Sequence, residues 1–161
     1  MKRHVALHPL SQHHHFALME ALFIRRALKD PAAGRKKTLE RVVRKFLRFW
    51  KKAGQQHFRE EEEVLLPAWS KHGRLDKEPL IMRLVADHAA IRAQIADLEA
   101  ALKAGQPVEE LSAELARLLH DHVRFEENEV FPRAERLLNE NELAALGQRL
   151  SWLHPKRSCE I

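Results

Sequence analysis

Two stretches of the 161-residue chain carry the same residue types at the same spacing: HFREEEEVLLP from His57 and HVRFEENEVFP from His122. Laid over each other, they pair His57 with His122, Arg59 with Arg124, Glu61 with Glu126, Glu62 with Glu127 and Pro67 with Pro132. Residues four apart on a helix sit about 40° apart around the axis and one turn along it. His57 with Glu61, and His122 with Glu126, can therefore each reach one point. A carboxylate buried by itself in an apolar seam costs several kcal/mol or takes up a proton. Two such carboxylates beside four histidines call for a cation.

The elements that must position these residues are long helices. Punctuation falls at DPAAG (30–34), HGRLD (72–76) with Pro79 soon after, GQP (105–107) and Pro132, leaving four long segments between. In the first, Leu10, His14, Ala17, Ala21, Ile24 and Leu28 keep a 4-3 spacing that lays one stripe along one helix face. Val43, Phe46, Trp50, Ala53, His57, Glu61 and Val64 do the same in the second, with Arg41, Arg44, Lys45, Arg48 and Lys52 on the outer face. Ile81, Leu84, His88, Ile91, Ile95, Leu98 and Leu102 form the third stripe; Leu111, Leu115, Leu118, His122, Glu126 and Val130 form the fourth. A lone seam histidine is more often a satisfied core residue than a ligand. One histidine in each of four stripes reverses that expectation.

Short connections between long helices imply antiparallel neighbours. The expected fold is all-α, an up-down-up-down antiparallel four-helix bundle over about residues 8–135, in a single domain spanning 1–161. Asn139 followed by Glu142 reads as a capping box and predicts a shorter fifth helix over about 140–153. LSQHH ending at His14 and LVADH ending at His88 both place a Leu four residues before the histidine, so the chain reads as a duplicated helix pair.

Rival ligands are placed by the same geometry. His13 and His15 lie about 100° off the first stripe and are expected in solvent. His4, His8, His72, His120 and His154 have no seam position and read as surface residues. Glu60, Glu62, Glu63 and Glu129 read as a mostly solvated acidic face, with Glu60 near enough to His57 to be a reserve ligand. Glu127, at i+5 from His122, competes with Glu126 at i+4 for the fourth-helix position.

Composition removes other classes of function. Five Gly, seven Pro and no Tyr beside many Ala, Leu, Glu, Lys and Arg favour helix over sheet. Cys159 is the single cysteine, so no intrachain disulfide forms, and a reducing, cytoplasmic setting is expected. No apolar run approaches the ~20 residues needed to span a bilayer, and no membrane partner is expected. The formal charge of +5 comes from 28 basic residues mixed among 23 acidic ones. RKKTLERVVRKFLRFWKK interleaves apolar residues with its charges, which makes it an amphipathic helix with a basic outer face and argues against nucleic-acid binding.

The order His14, then His57 with Glu61, then His88, then His122 with Glu126, each His-x-x-x-Glu leading to a Pro, resembles the hemerythrin-like (HHE cation-binding) domains. The resemblance covers about residues 8–135. It implies a non-haem di-iron centre, two iron ions with an oxo or hydroxo bridge, inside the bundle. In that reading His14, His57, His88 and His122 are terminal ligands, and Glu61 and Glu126 are bridges. Oxygen-carrying hemerythrins bring a second histidine from the third helix, one turn away; here Leu84 and Arg92 hold the corresponding positions. The fourth-helix carboxylate of those carriers sits at i+5, which is Glu127 here. Imidazole and carboxylate without thiolate suit iron, with zinc or manganese as alternatives.

Three classes of function follow. The first is a protein that binds or senses a small molecule such as oxygen, nitric oxide or peroxide, in stress response or iron handling. The second is a di-iron enzyme that consumes peroxide or oxygen, for which no acid or base beyond the ligands can be named. The third is a metal store or structural cation site. The first ranks highest, because four histidines, two bridging carboxylates and one bridging oxygen leave about two positions open on a pair of octahedral ions.

Overall fold

The computed structural model describes residues 3–30 and 35–153, and among these there is no strand. A 3-10 turn, Val5–Leu7, leads into α1 (His8–Lys29). The second helical run, α2, is made of Arg35–Phe49, a π turn Trp50–Gly54, Gln55–Glu60, a second π turn Glu61–Leu65, and Leu66–Ser70. The 3-10 turn Leu75–Lys77 precedes α3 (Pro79–Lys103). The run α4 consists of Glu109–Phe125, a π turn Glu126–Val130, and Phe131–Leu137; α5 is Glu140–Leu153. No helix among the described residues is long and apolar enough to cross a membrane.

The helix ends follow local chemistry. Gly105 takes φ 66°, and the Gln106 N–H closes back on the Ala101 carbonyl at 2.9 Å, ending α3 in a left-handed cap that favours glycine. Asn139 and Glu142 bond reciprocally, side chain to backbone N–H, at 3.0 Å each, which is the capping box expected at the start of α5. Pro132 does not end the fourth run as expected: the helix continues through it to Leu137.

Two of the π turns explain that continuity. A proline in a regular helix loses its own hydrogen bond and drives its ring into the carbonyl four residues back. Ahead of Pro67 the Leu66 N–H reaches five residues back to the Glu61 carbonyl, and ahead of Pro132 the Phe131 N–H reaches five back to Glu126. The extra residue in each turn widens the helix where the ring needs room. Each π turn therefore opens at the glutamate of a His-x-x-x-Glu repeat.

The apolar residues bury in two clusters. One gathers Ile24, Phe46, Trp50, Phe58, Ile91 and Leu115 with their neighbours; the other gathers Leu10, Val64, Trp69, Leu84, Val130 and Phe131 with theirs. Along α1 the order is Leu10, His14, Ile24, and along α3 it is Leu84, His88, Ile91; along α2 it is Phe46, His57, Val64, and along α4 it is Leu115, His122, Val130. Each seam histidine thus lies between one cluster and the other. The third stripe is buried throughout; Ala17 and Leu28 in the first and Ala53 in the second are half-buried, and the basic residues 41, 44, 45, 48 and 52 are exposed as expected. The fourth is broader than its simple spacing. Leu111 and Leu118 are only half-buried, while Ala116, Leu119 and Val123 are buried, because this run packs against both α1 and α3.

Candidate metal centre

The six seam residues His14, His57, Glu61, His88, His122 and Glu126 are all buried, with Glu61, His88 and Glu126 at 0 % exposure. They form two groups whose ligand-type atoms lie within 4.8 Å of one another: His14 and His57 with Glu61 and Glu126, and His88 and His122 with the same two glutamates. Each carboxylate divides its oxygens between the groups. Glu61 turns Oε1 toward His57 Nε2 (3.6 Å) and Oε2 toward His88 Nε2 (3.1 Å). Glu126 turns Oε2 toward His14 Nε2 (2.9 Å) and Oε1 toward His122 Nε2 (3.1 Å). Glu127 belongs to neither group.

Although close, these atoms are not aligned as hydrogen bonds. The Nε2 atoms of all four histidines and both oxygens of Glu61 and of Glu126 are buried without a hydrogen-bond partner. Buried polar atoms left so are expensive, on the order of 1–3 kcal/mol each, and more when charged. A set of imidazole and carboxylate donors that converge without satisfying one another fits a hard or borderline cation.

The buried groups also shift one another's protonation. Burial alone would lower the pKa of His14, but its contacts with Glu126 and Glu127 overcome this and raise it to about 10. Burial works against His88 in the same way, and Glu126 and Glu61 raise it to about 10. Burial and the charge of His14 hold His57 well below the usual imidazole range. Burial, then the charge of Glu126, pushes Glu61 up to about 7. For Glu126 burial pulls upward, but His122, His14 and His88 keep it well below the usual carboxylate range.

A second layer of carboxylates holds two of the histidines. His14 Nδ1 donates to Glu127 Oε1 at 2.6 Å, and His88 Nδ1 donates to Glu62 Oε1 at 2.8 Å. Each of these glutamates is in turn gripped by an arginine. Arg3 bonds Glu127 at 2.8 Å, and Arg92 bonds both oxygens of Glu62 at 2.8 and 3.0 Å. Each histidine also lies parallel to a phenylalanine, His14 on Phe131 at 5.2 Å and His88 on Phe58 at 3.7 Å. Arg3 stands over the ring of Phe131 and Arg92 over that of Phe58, at 5.1 and 5.2 Å. Fixing Nδ1–H on a carboxylate sets the tautomer and leaves the Nε2 lone pair available. His122 Nδ1 has Asp87 only at 3.7 Å.

Several expectations about rival residues need correction. Glu62 is not a solvated residue: it is half-buried on His88 and Arg92. Its equivalence to Glu127 in the repeat was the available signal. His13 is half-buried rather than solvated, and Glu60 is buried; together with His57 they form a third group apart from the first two. Of the others, His72 and Glu129 are exposed as expected, while His4, His8 and His120 are half-buried. His15 is exposed, His4 and His72 pair with Glu140 and Glu142, and Glu63 pairs with Arg59. Leu84 is fully buried in the apolar cluster. His154 and Cys159 lie outside the described residues.

An apolar cavity of about 40 Å³ adjoins His14, His57 and His122, walled by Phe46, Trp50 and Phe58. Gly54 makes part of its wall. A Cβ on Gly54 would lie 2.3 Å from Cε3 of Trp50, so the indole packs directly on the glycine backbone within the first π turn.

No curated protein matches the chain closely enough to serve as a relative. The sequence model of the hemerythrin HHE cation binding domain matches residues 6–134, which spans both His-x-x-x-Glu repeats and the four seam histidines. With four-fifths of its length matched, the chain belongs to the hemerythrin HHE cation-binding domain family.

Proposed function

We propose that the chain is a dinuclear metal-binding protein, built as an up-down-up-down four-helix bundle, that holds two iron ions and engages a small molecule such as oxygen, nitric oxide or peroxide. The observation that carries this reading is the division of Glu61 and Glu126 between two histidine pairs, one oxygen to each side. His14 and His57 would hold one ion and His88 and His122 the other, with both glutamates spanning the pair. The bundle topology is supported by the alternating order in which the four runs cross the two apolar clusters.

A pair of iron ions would supply one-electron redox chemistry and open coordination positions. The protein's own residues do the rest. Glu127 and Glu62 fix the rings of His14 and His88, and Arg3 and Arg92 fix those glutamates. Leu84 contributes no donor. The adjoining cavity is apolar and large enough for a diatomic molecule, which favours a small uncharged visitor over a charged substrate.

The test is metal analysis of protein expressed with iron and purified without air. About two iron atoms per chain are expected. One metal per chain, or zinc retained under iron-rich conditions, contradicts the reading.

A further inference from the structure

The buried groups give an incoming ion no obvious handhold, since every member is 6 % exposed or less. The third group differs. Ligand-type atoms of His13, His57 and Glu60 lie within 4.8 Å of one another. The His13 ring stands edge-on to that of His57 at 5.4 Å, and its Nδ1 lies 3.9 Å from Glu60 Oε2. Glu60 is 1 % exposed and His13 Nδ1 is buried, while the His13 side chain as a whole is 22 % exposed, so the His13 ring alone separates the group from solvent. His57 belongs to both this group and a buried one. Its Nε2 is the nitrogen beside Glu61, whereas its Nδ1 is buried with no hydrogen-bond partner. The corresponding atoms of His14 and His88 are both bonded to carboxylates.

We propose that His13, Glu60 and Nδ1 of His57 form a capture site that takes a divalent transition-metal ion from solvent and hands it to the buried pair; this rests on the dinuclear reading above. Two imidazoles and one carboxylate suit Fe²⁺, Co²⁺ or Zn²⁺, with the remaining positions left to water on the His13 side. A neutral imidazole has one lone pair. His57 therefore holds an ion at Nδ1 or at Nε2, and occupying both would require loss of its second ring proton. While the outer ion is bound, Nε2 carries the proton and points it at Glu61. When the ion moves inward, Nε2 gives up that proton and Nδ1 takes one. The same ring thus couples arrival at one site to release from the other.

Co²⁺ is the probe. Metal-free protein is mixed with Co²⁺ without air, and uptake is followed by the visible absorption of the bound ion, with final stoichiometry by metal analysis. His13→Ala and Glu60→Gln should both reach the same two ions per chain and the same final spectrum as the unmodified protein. Uptake should be slower by about tenfold or more in each. His13→Ala changes a partly exposed side chain and Glu60→Gln keeps the shape of the buried one, so a folding defect, seen by circular dichroism, is not expected. Unchanged uptake rates in both variants would overturn the capture site. A final stoichiometry below that of the unmodified protein would overturn it too, by making His13 or Glu60 part of the buried centre. Fewer than two ions in the unmodified protein would instead remove the dinuclear reading on which the proposal stands.

Discussion

Raising the pH of the metal-free protein from 6.5 to 9 should destabilise it. His14 and His88 are each held at about 10 in the folded state, against 6.5 for a free imidazole. A group whose folded pKa is raised contributes its full stabilisation below the unfolded value and loses it as pH climbs toward the folded one. Over this range each histidine would lose up to about 3 kcal/mol. The two protons lean on the same glutamates, so their losses do not add, and a combined fall on the order of 3–5 kcal/mol is the working figure. For a domain of this size that lowers Tm by on the order of 10 °C. Glu61, raised to about 7 by burial and by Glu126, contributes a loss of the same sign between its unfolded value and pH 7. Glu126 has the opposite sign: its folded pKa is depressed, so its contribution is present above the unfolded value of 4.5 and disappears in acid. Thermal melts in chelator-treated buffers between pH 6.5 and 9 measure the slope, and His14→Gln should cut it by roughly half. A metal ion displaces these protons, so the gap between loaded and metal-free Tm should widen as pH rises. A metal-free Tm that stays level or increases from pH 6.5 to 9 would refute the proton arrangement.

Other outcomes follow from the same geometry. Glu126→Ala removes a carboxylate common to both groups and should abolish binding of the metal pair, whereas Glu127→Ala should keep two ions but weaken them by about 10–100-fold through loss of the His14 partner, read by competition with a chelator. Arg92→Gln, which loosens Glu62 behind His88, should weaken binding in the same direction with unchanged stoichiometry; an affinity equal to that of the unmodified protein would show that the arginine grip is idle. Gly54→Ala forces the indole of Trp50 away from the helix and should cost about 1–3 kcal/mol in denaturant melts, and a neutral substitution would mean that the π turn absorbs the methyl group without strain.

The sequence made the inner ligand candidates legible because their positions follow the helix period. His14, His57, His88 and His122 fall on 4-3 stripes with apolar neighbours, and burial of an amphipathic face turns all four inward. Asn139 and Glu142 marked α5 because a capping box is a local device. What escaped depends on other helices. The inward position of His13 depends on the meeting of α1 with α2, and Glu62 turns to α3 for His88 and Arg92. Neither partner has a signature in the period of its own helix. The π turns were half legible. Pro67 and Pro132 after each repeat required an adjustment, but a proline can be met by ending the helix or by widening it, and packing of Phe131 and Ala134 in the core favours widening.

Glu61 and Glu126 are expected to span two ions. Crystals of iron-loaded protein, measured on both sides of the iron absorption edge, test it most directly. Two anomalous peaks are predicted, one beside His14 and His57 and the other beside His88 and His122, each within coordinating distance of both glutamates. A single peak, or a pair in which either glutamate touches only one ion, would contradict it.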